Sequence, residues 1–207
     1  METVVQRATG WKMGIWCHLH MWRLLLFDAI ARPTTSADPR AQTLEALFDA
    51  LFSRLERSVY GYLWRVLGDQ QAAEDLTQET FLRAWRHIGK ISAYERPETW
   101  VWRVATNLAL NERRQRSTRN LQPLDDDAEI MSASDPAMRI ALHDQVHATL
   151  LALPPRLRAA ITLREVYGLS FTEIAQVLDI SAANARVTLS RAREQFRQRY
   201  QRTEGAQ

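Results

Sequence analysis

Tryptophan, asparagine and arginine gather between Trp100 and Arg119 in a pattern suited to gripping nucleic acid. Trp100, Arg103, Asn107, Arg113 and Arg114 stand there with Arg116 and Arg119. Guanidinium groups make forked, planar hydrogen bonds to phosphates and base edges, and an aromatic ring gives an unpaired base a face to stack on. Apolar spacing makes the segment a helix over about 97–116, with Pro97 suited to its first turn. Val101, Val104, Ala105 and Leu108 then form the buried stripe. Arg103, Asn107, Leu110 and Arg114 lie opposite, with Trp100 at the edge. A solvated basic helix end that complements the helix dipole also accounts for the arginines.

A second group of the same chemistry is Ser181, Ala183, Asn184, Arg186, Val187, Ser190 and Arg191. The elements that would position it are legible. Ser170-Phe171-Thr172-Glu173 is a capping box, in which the serine caps a helix start and the glutamate reaches back. Ile174, small Ala175, Val177 and Leu178 follow, then a short turn at Asp179-Ile180-Ser181. Ser181 can cap a last helix running to about Tyr200. On it Ala185, Leu189, Ala192 and Phe196 face inward, and Ala183, Arg186, Val187, Ser190 and Arg197 face out. This is helix-turn-helix spacing, and Arg and Asn near the start of the second helix suit guanine and adenine in a major groove. The plain alternative is a three-helix interaction domain. Ahead of it lie a helix over about Met138 to Leu153, with Leu142, Val146, Leu150 and Leu153 inward, and another over Arg156 to Tyr167.

A third face is acidic. On a helix capped by Asp69 and ending near Gly89, Leu76, Thr80, Phe81, Ala84 and Ile88 gather on one side. Asp75, Gln78, Glu79, Leu82 and Arg86 gather on the other. A leucine amid polar groups is more than a solvated face needs, although a surface helix with one stray leucine also fits. Before it, Leu44, Leu47, Phe48, Leu51, Phe52, Leu55, Val59, Tyr62, Leu63 and Val66 repeat at helical spacing from Thr43, and Gly68 can close that helix. A loop over Lys90 to Arg96 separates the acidic helix from the basic one.

Helical spacing dominates and alternating strand patterns are nearly absent. The fold class expected is all-α: two small helical domains, residues 43–117 and 138–203, joined by a flexible acidic linker over 118–137. Lys12 and Lys90 are the only lysines among 27 basic residues, so the positive charge is almost all arginine. Cys17 is the single cysteine, so no internal disulfide is available. Residues 1–42 read as an N-terminal extension, a tail or a mis-assigned start. Its apolar run, Gly14 to Ala31, is too short and too interrupted by His18, His20, Arg23 and Asp28 for a membrane span or a secretory signal. Cys17-His18-x-His20 lacks a distant partner set, so no metal site is expected. No phosphate-cradling glycine loop or nucleophile elbow is present, and no cofactor or enzymatic activity is expected.

The stretch Asp75-Leu76-Thr77-Gln78-Glu79-Thr80-Phe81-Leu82-Arg83-Ala84-Trp85 closely resembles the core-polymerase-binding helix of bacterial sigma factors, in their compact extracytoplasmic-function (ECF) branch. Trp100-Val101-Trp102-Arg103-Val104-Ala105-Thr106-Asn107 resembles that family's promoter-melting segment, with Asn111 where an aspartate is usual. Leu153-Pro154-Pro155-Arg156-Leu157-Arg158, Gly168 to Ala175 and Ser190-Arg191-Ala192-Arg193 resemble its minus-thirty-five-binding domain. There Asn184-Ala185-Arg186 replaces the commoner Thr-Val-Lys.

The resemblance implies a cytoplasmic promoter-specificity subunit. Its partners would be core RNA polymerase, through the largest-subunit clamp helices and the flap, and promoter DNA, both duplex and single-stranded. An anti-sigma protein is implied too. Asp75, Gln78, Glu79, Leu82 and Arg86 would meet the polymerase. Trp100, Arg103, Asn107, Arg113 and Arg114 would meet minus-ten DNA. Ser181, Ala183, Asn184, Arg186, Val187, Ser190 and Arg191 would meet minus-thirty-five DNA. The competing class is a one-component helix-turn-helix repressor or activator.

Overall fold

A computed structural model describes residues 39–119 and 137–204 of the 207-residue chain. The expectations for the extension up to residue 38, its Cys17 and histidines included, and for the linker over 120–136 lie outside the described residues. Every described element is helical: α1 Pro39–Leu67, α2 Gln70–Arg86, α3 Ile88–Ile91, α4 Pro97–Arg119, α5 Ala137–Leu151, α6 Pro155–Glu165, α7 Phe171–Leu178 and α8 Ala182–Glu204. From Ala46 onward they pack as one compact unit.

α1 begins at Pro39, ahead of the expected Thr43, and a proline suits a first turn because its missing N–H is not needed there. It ends where Gly68 takes φ +74° and donates its N–H to the Trp64 carbonyl at 2.8 Å. That backbone suits glycine, and a second constraint coincides with it. A Cβ on Gly68 would stand 2.8 Å from the Leu151 side chain at the end of α5.

Leu51, Leu55, Val59, Tyr62, Leu63 and Val66 give α1 its buried stripe. Rings pin its first half to α2, with Phe52 edge-on to Phe81 at 4.9 Å and Phe48 edge-on to Trp85 at 5.1 Å. Such pairs add about 0.5–1.5 kcal/mol each beyond the area they bury. The other half grips α4, where the buried Tyr62 hydroxyl and Thr106 Oγ1 are hydrogen-bonded at 2.8 Å.

Several sequence expectations shift. On α2, Leu76 is only half-buried, while Ala72, Ala73 and Thr77 join Thr80, Phe81 and Ala84 in the core. Thr77 enters without an unmet donor because its hydroxyl donates to the Ala73 carbonyl at 2.6 Å. α2 stops at Arg86, and Lys90 and Ile91, expected in a loop, lie in the single turn α3, which buries Ile88 and Ile91. On α4, Val104 and Leu108 are half-buried, whereas Trp102, Thr106 and Ala109 are buried beside Val101 and Ala105. The stripe is wider than one face because α4 packs on α2, α6 and α7. On α5, Val146 is exposed, and among its described side chains His147, Thr149 and Leu150 are buried. α8 continues past the expected Tyr200 to Glu204.

Candidate polymerase and nucleic-acid interfaces

Local chemistry fixes α2 first. Asp69 is its N-cap, accepting from the Ala72 N–H at 2.9 Å. That bond lowers the Asp69 pKa most, partial burial opposes it, and Arg116, 2.8 Å away, lowers it further. Arg116 also bonds Glu112 at 2.8 Å, so one arginine ties the end of α4 to the start of α2. The face opposite the core then carries Asp75 and Arg86 exposed, with Gln78, Glu79 and Leu82 half-exposed. Glu79 is held by Arg83 at 2.6 Å and Asp75 accepts from Gln71 at 3.1 Å. The five residues expected on one surface do share one.

The basic helix is less uniform. Arg103, Asn107 and Arg114 are exposed, but Trp100 and Arg113 are half-buried. A cavity of about 360 Å³ opens beside Trp100, lined by Tyr94, Glu95, Arg96, Thr99, Arg103 and Gln176. The sequence marks Tyr94 and Arg96 only as part of the Lys90 to Arg96 loop and does not single out Thr99. No periodicity marks them, since they sit in the 92–96 loop and the first turn of α4, where side-chain direction does not follow from spacing. Gln176 belongs to α7, far off in sequence.

The helix-turn-helix forms as the spacing predicts. Ser170 Oγ accepts from the Glu173 N–H at 3.2 Å, and Glu173 Oε2 accepts from the Ser170 N–H at 2.8 Å, closing the capping box. Partial burial raises the Glu173 pKa, but the Ser170 hydroxyl and N–H together with Arg96 outweigh it and hold the carboxyl below its ordinary value. The turn passes through Asp179 at φ 56° and ψ 53°, a left-handed conformation that Asp tolerates better than most residues. Ser181 Oγ then accepts from the Asn184 N–H at 3.1 Å and starts α8. Ala185, Leu189 and Ala192 are fully buried, while Ser181, Ala183, Asn184, Arg186, Val187, Ser190 and Arg191 all face solvent. Arg193 anchors the helix to α6 through Glu165 at 2.7 Å. The Arg186 guanidinium lies 5.7 Å from the Phe171 ring centre, and Arg164 lies 4.8 Å from it.

A buried charge escaped the sequence reading. Arg158 is 1% exposed, and its guanidinium donates to the Leu153 carbonyl at 2.9 Å and to the carbonyls of Leu151 and Val66. Burial lowers its pKa most, and the nearby Arg113 charge adds to that, bringing it to about 10, so it stays charged at neutral pH. Its acceptors are carbonyls at the C-terminal ends of α1 and α5, where helix dipoles favour a cation. An arginine on an amphipathic pattern carries no mark of being buried.

Among the described residues no group of acidic, histidine or cysteine side chains could hold a metal, and no helix is long and apolar enough to cross a membrane. The arrangement defines a class, a helical DNA-binding protein built around a helix-turn-helix. Two family models match it, Sigma-70 region 2 over residues 51–119 and Sigma-70, region 4 over residues 143–196.

Relatives agree. The RNA polymerase sigma-H factor of Pseudomonas aeruginosa is 33% identical over 162 residues, covering 71% of this chain and 82% of its own. The ECF RNA polymerase sigma-E factor of Haemophilus influenzae is 31% identical over 166 residues, covering 74% and 87%. The ECF RNA polymerase sigma factor SigE of Mycolicibacterium smegmatis is 35% identical over 155 residues, covering 72% of this chain but 60% of its own. The fold is similar to that of the sigma factor RpoE in its complex with the anti-sigma factor NepR from Bartonella quintana, with TM-score 0.61, 16% identity and coverage of 74% and 96%. It is also similar to CnrH in complex with the cytosolic domain of CnrY, with TM-score 0.53, 22% identity and coverage of 75% and 90%. The chain belongs to the ECF family of RNA polymerase sigma factors, non-catalytic proteins of transcription initiation that bind core polymerase and promoter DNA.

Proposed function

We propose that the chain is a dissociable promoter-specificity subunit acting in the cytoplasm through three surfaces. The outer face of α2, with Asp75, Gln78, Glu79, Leu82 and Arg86, docks on the clamp helices of the polymerase. The start of α4 and the loop before it, with Trp100, Arg103 and Asn107, hold melted minus-ten DNA, and Arg113 and Arg114 track its phosphates. The first turns of α8 enter the minus-thirty-five major groove, and the domain that carries them meets the flap. On this reading residues 43–117 and 138–203 are the functional halves, joined over 118–137.

The observation that carries the reading is α8. The capped start of α8 presents Ser181, Ala183, Asn184, Arg186, Val187, Ser190 and Arg191 to solvent over a back face of zero-exposure Ala185, Leu189 and Ala192. That is the shape and chemistry a recognition helix needs. Because a structure similar in fold holds the anti-sigma factor NepR, a protein partner of that kind is part of the proposal.

The test is multi-round transcription on genomic fragments, including the region upstream of this gene, with purified core polymerase. Specific transcripts that need both proteins are the expected result. A footprint on duplex DNA by this chain alone, without transcripts, would point to a one-component regulator instead.

A further inference from the structure

Val187 is an odd residue for the face it stands on. The large apolar side chains exposed among the described residues are Tyr94, Val146, Val166 and Val187, and of these Val187 alone lies on α8, 48% exposed. At helical spacing its neighbours are Ala183 and Asn184 one turn back and Ser190 and Arg191 one turn on, all four exposed. The core is met from the opposite side of the helix, through Ala185, Leu189 and Ala192. Core packing therefore gives Val187 no reason to be apolar. Helix propensity gives none either, since a β-branched residue is a poorer helix former than alanine. Single apolar residues are common on protein surfaces, but this one stands at the centre of the face set into a major groove in the proposal above.

Groove chemistry narrows what Val187 can meet there. Asn184, Ser190 and Arg191 each carry hydrogen-bonding groups for a base edge or a phosphate, and the valine side chain carries none. Base pairs present donors and acceptors to the major groove and a single kind of apolar group, the C5-methyl of thymine. An isopropyl group laid over a donor or acceptor strips it of water and gives no partner in return, which is costly. Laid against the methyl, it takes apolar surface out of water on both sides. Ala183, one turn before it, is small enough to admit the methyl and adds its own to the same patch. Arg186, the preceding residue, projects roughly 100° away around the helix and lies 5.7 Å from the Phe171 ring centre.

Resting on the sigma reading, we propose that Val187, with Ala183 beside it, reads the C5-methyl of a thymine in the minus-thirty-five element. The polar and basic neighbours supply hydrogen bonds and charge. Val187 supplies the preference for thymine over cytosine, whose edge carries no methyl at that place and offers an amino donor that valine cannot satisfy.

The test uses holoenzyme, purified core polymerase with this chain, on a duplex carrying the upstream element mapped by the transcription assay. Each thymine of that element, on either strand, is replaced in turn by deoxyuridine, which keeps the base pairing and removes the methyl alone. One replacement is expected to weaken binding about three- to fivefold, the worth of one buried methyl-sized group, and the others less than about twofold. Holoenzyme with Val187→Ala is expected to bind the thymine duplex as weakly as the parent binds that uracil duplex, and to bind the two duplexes alike. Its melting temperature should not fall, because alanine is the better helix former at an exposed position. An upstream element without thymine, a parent indifferent to every replacement, or a thymine preference that survives in Val187→Ala overturns the methyl reading and leaves the sigma reading standing. If the parent chain gives no transcripts with core polymerase, the sigma reading falls and the methyl reading falls with it.

Discussion

Arg158 donates to the backbone carbonyl of Val66, 92 residues earlier in the chain, and among the described residues no carboxylate shares its hydrogen-bonding shell. Its two terminal nitrogens donate to carbonyls, while the buried Nε finds no partner among the described residues. Arg158 therefore serves as a structural clasp between the end of α1 and the start of the C-terminal helices.

Arg158→Leu is expected to destabilise the fold by about 3 kcal/mol, because three carbonyls lose their donor and leaving a buried acceptor unmet costs about 1–3 kcal/mol. Arg158→Lys should fall between, since one ammonium cannot span the acceptors that a forked guanidinium reaches. Urea unfolding of the three proteins checks the order. Equal midpoints for Arg158→Leu and the parent would rule the clasp out.

Acid stability should follow Asp69 and Glu173. Both carboxyls sit below their ordinary values in the fold, so their stabilisation is complete above the unfolded values of about 3.9 and 4.3 and fades as pH falls through and below that range. Asp69→Asn keeps a capping oxygen but loses the charge partner of Arg116. It should stay within about 1 kcal/mol of the parent at neutral pH and show a flatter acid limb. Unfolding free energies at neutral pH and near pH 3 would measure both.

Charge reversal on α2 separates binding from folding. Gln78→Lys with Glu79→Lys should weaken core-polymerase binding by about tenfold, ~1.4 kcal/mol, while the melting temperature moves little because both side chains are half-exposed. Fluorescence anisotropy against purified core reads the first, and unchanged affinity would remove α2 from the interface.

On α8, Arg186→Ala should cost about 1–3 kcal/mol at the preferred minus-thirty-five sequence and relax discrimination at one position. Arg191→Ala, if it meets phosphate, should weaken all sequences alike and reduce the salt slope. Holoenzyme binding to a promoter and to point variants of its upstream element, at two salt concentrations, tells the two behaviours apart.

Caps and turns were the most legible features because they depend on neighbours a few residues apart. Asp69, the Ser170–Glu173 pair and Ser181 all act as their spacing implies. The recognition face of α8 was legible for a related reason, since that helix is covered on one side only and its pattern has a single direction. α4 was misread where it is gripped from several sides, so Trp102 and Thr106 are buried beyond the stripe that periodicity picks out. Val146 looked like core because spacing reports a face and not what covers it. Arg158 gave no local signal at all. Its partners are backbone groups, one of them in the other half of the molecule.

The ring of Phe171 lies under two guanidinium groups at once. For Arg186 this means that much of its rotamer freedom is already spent before any base is met. Immobilising a long side chain on binding costs about 0.5–1.5 kcal/mol, and an arginine laid out on an aromatic ring escapes part of that loss. Phe171 would thus help fix the pose in which its neighbour meets a guanine.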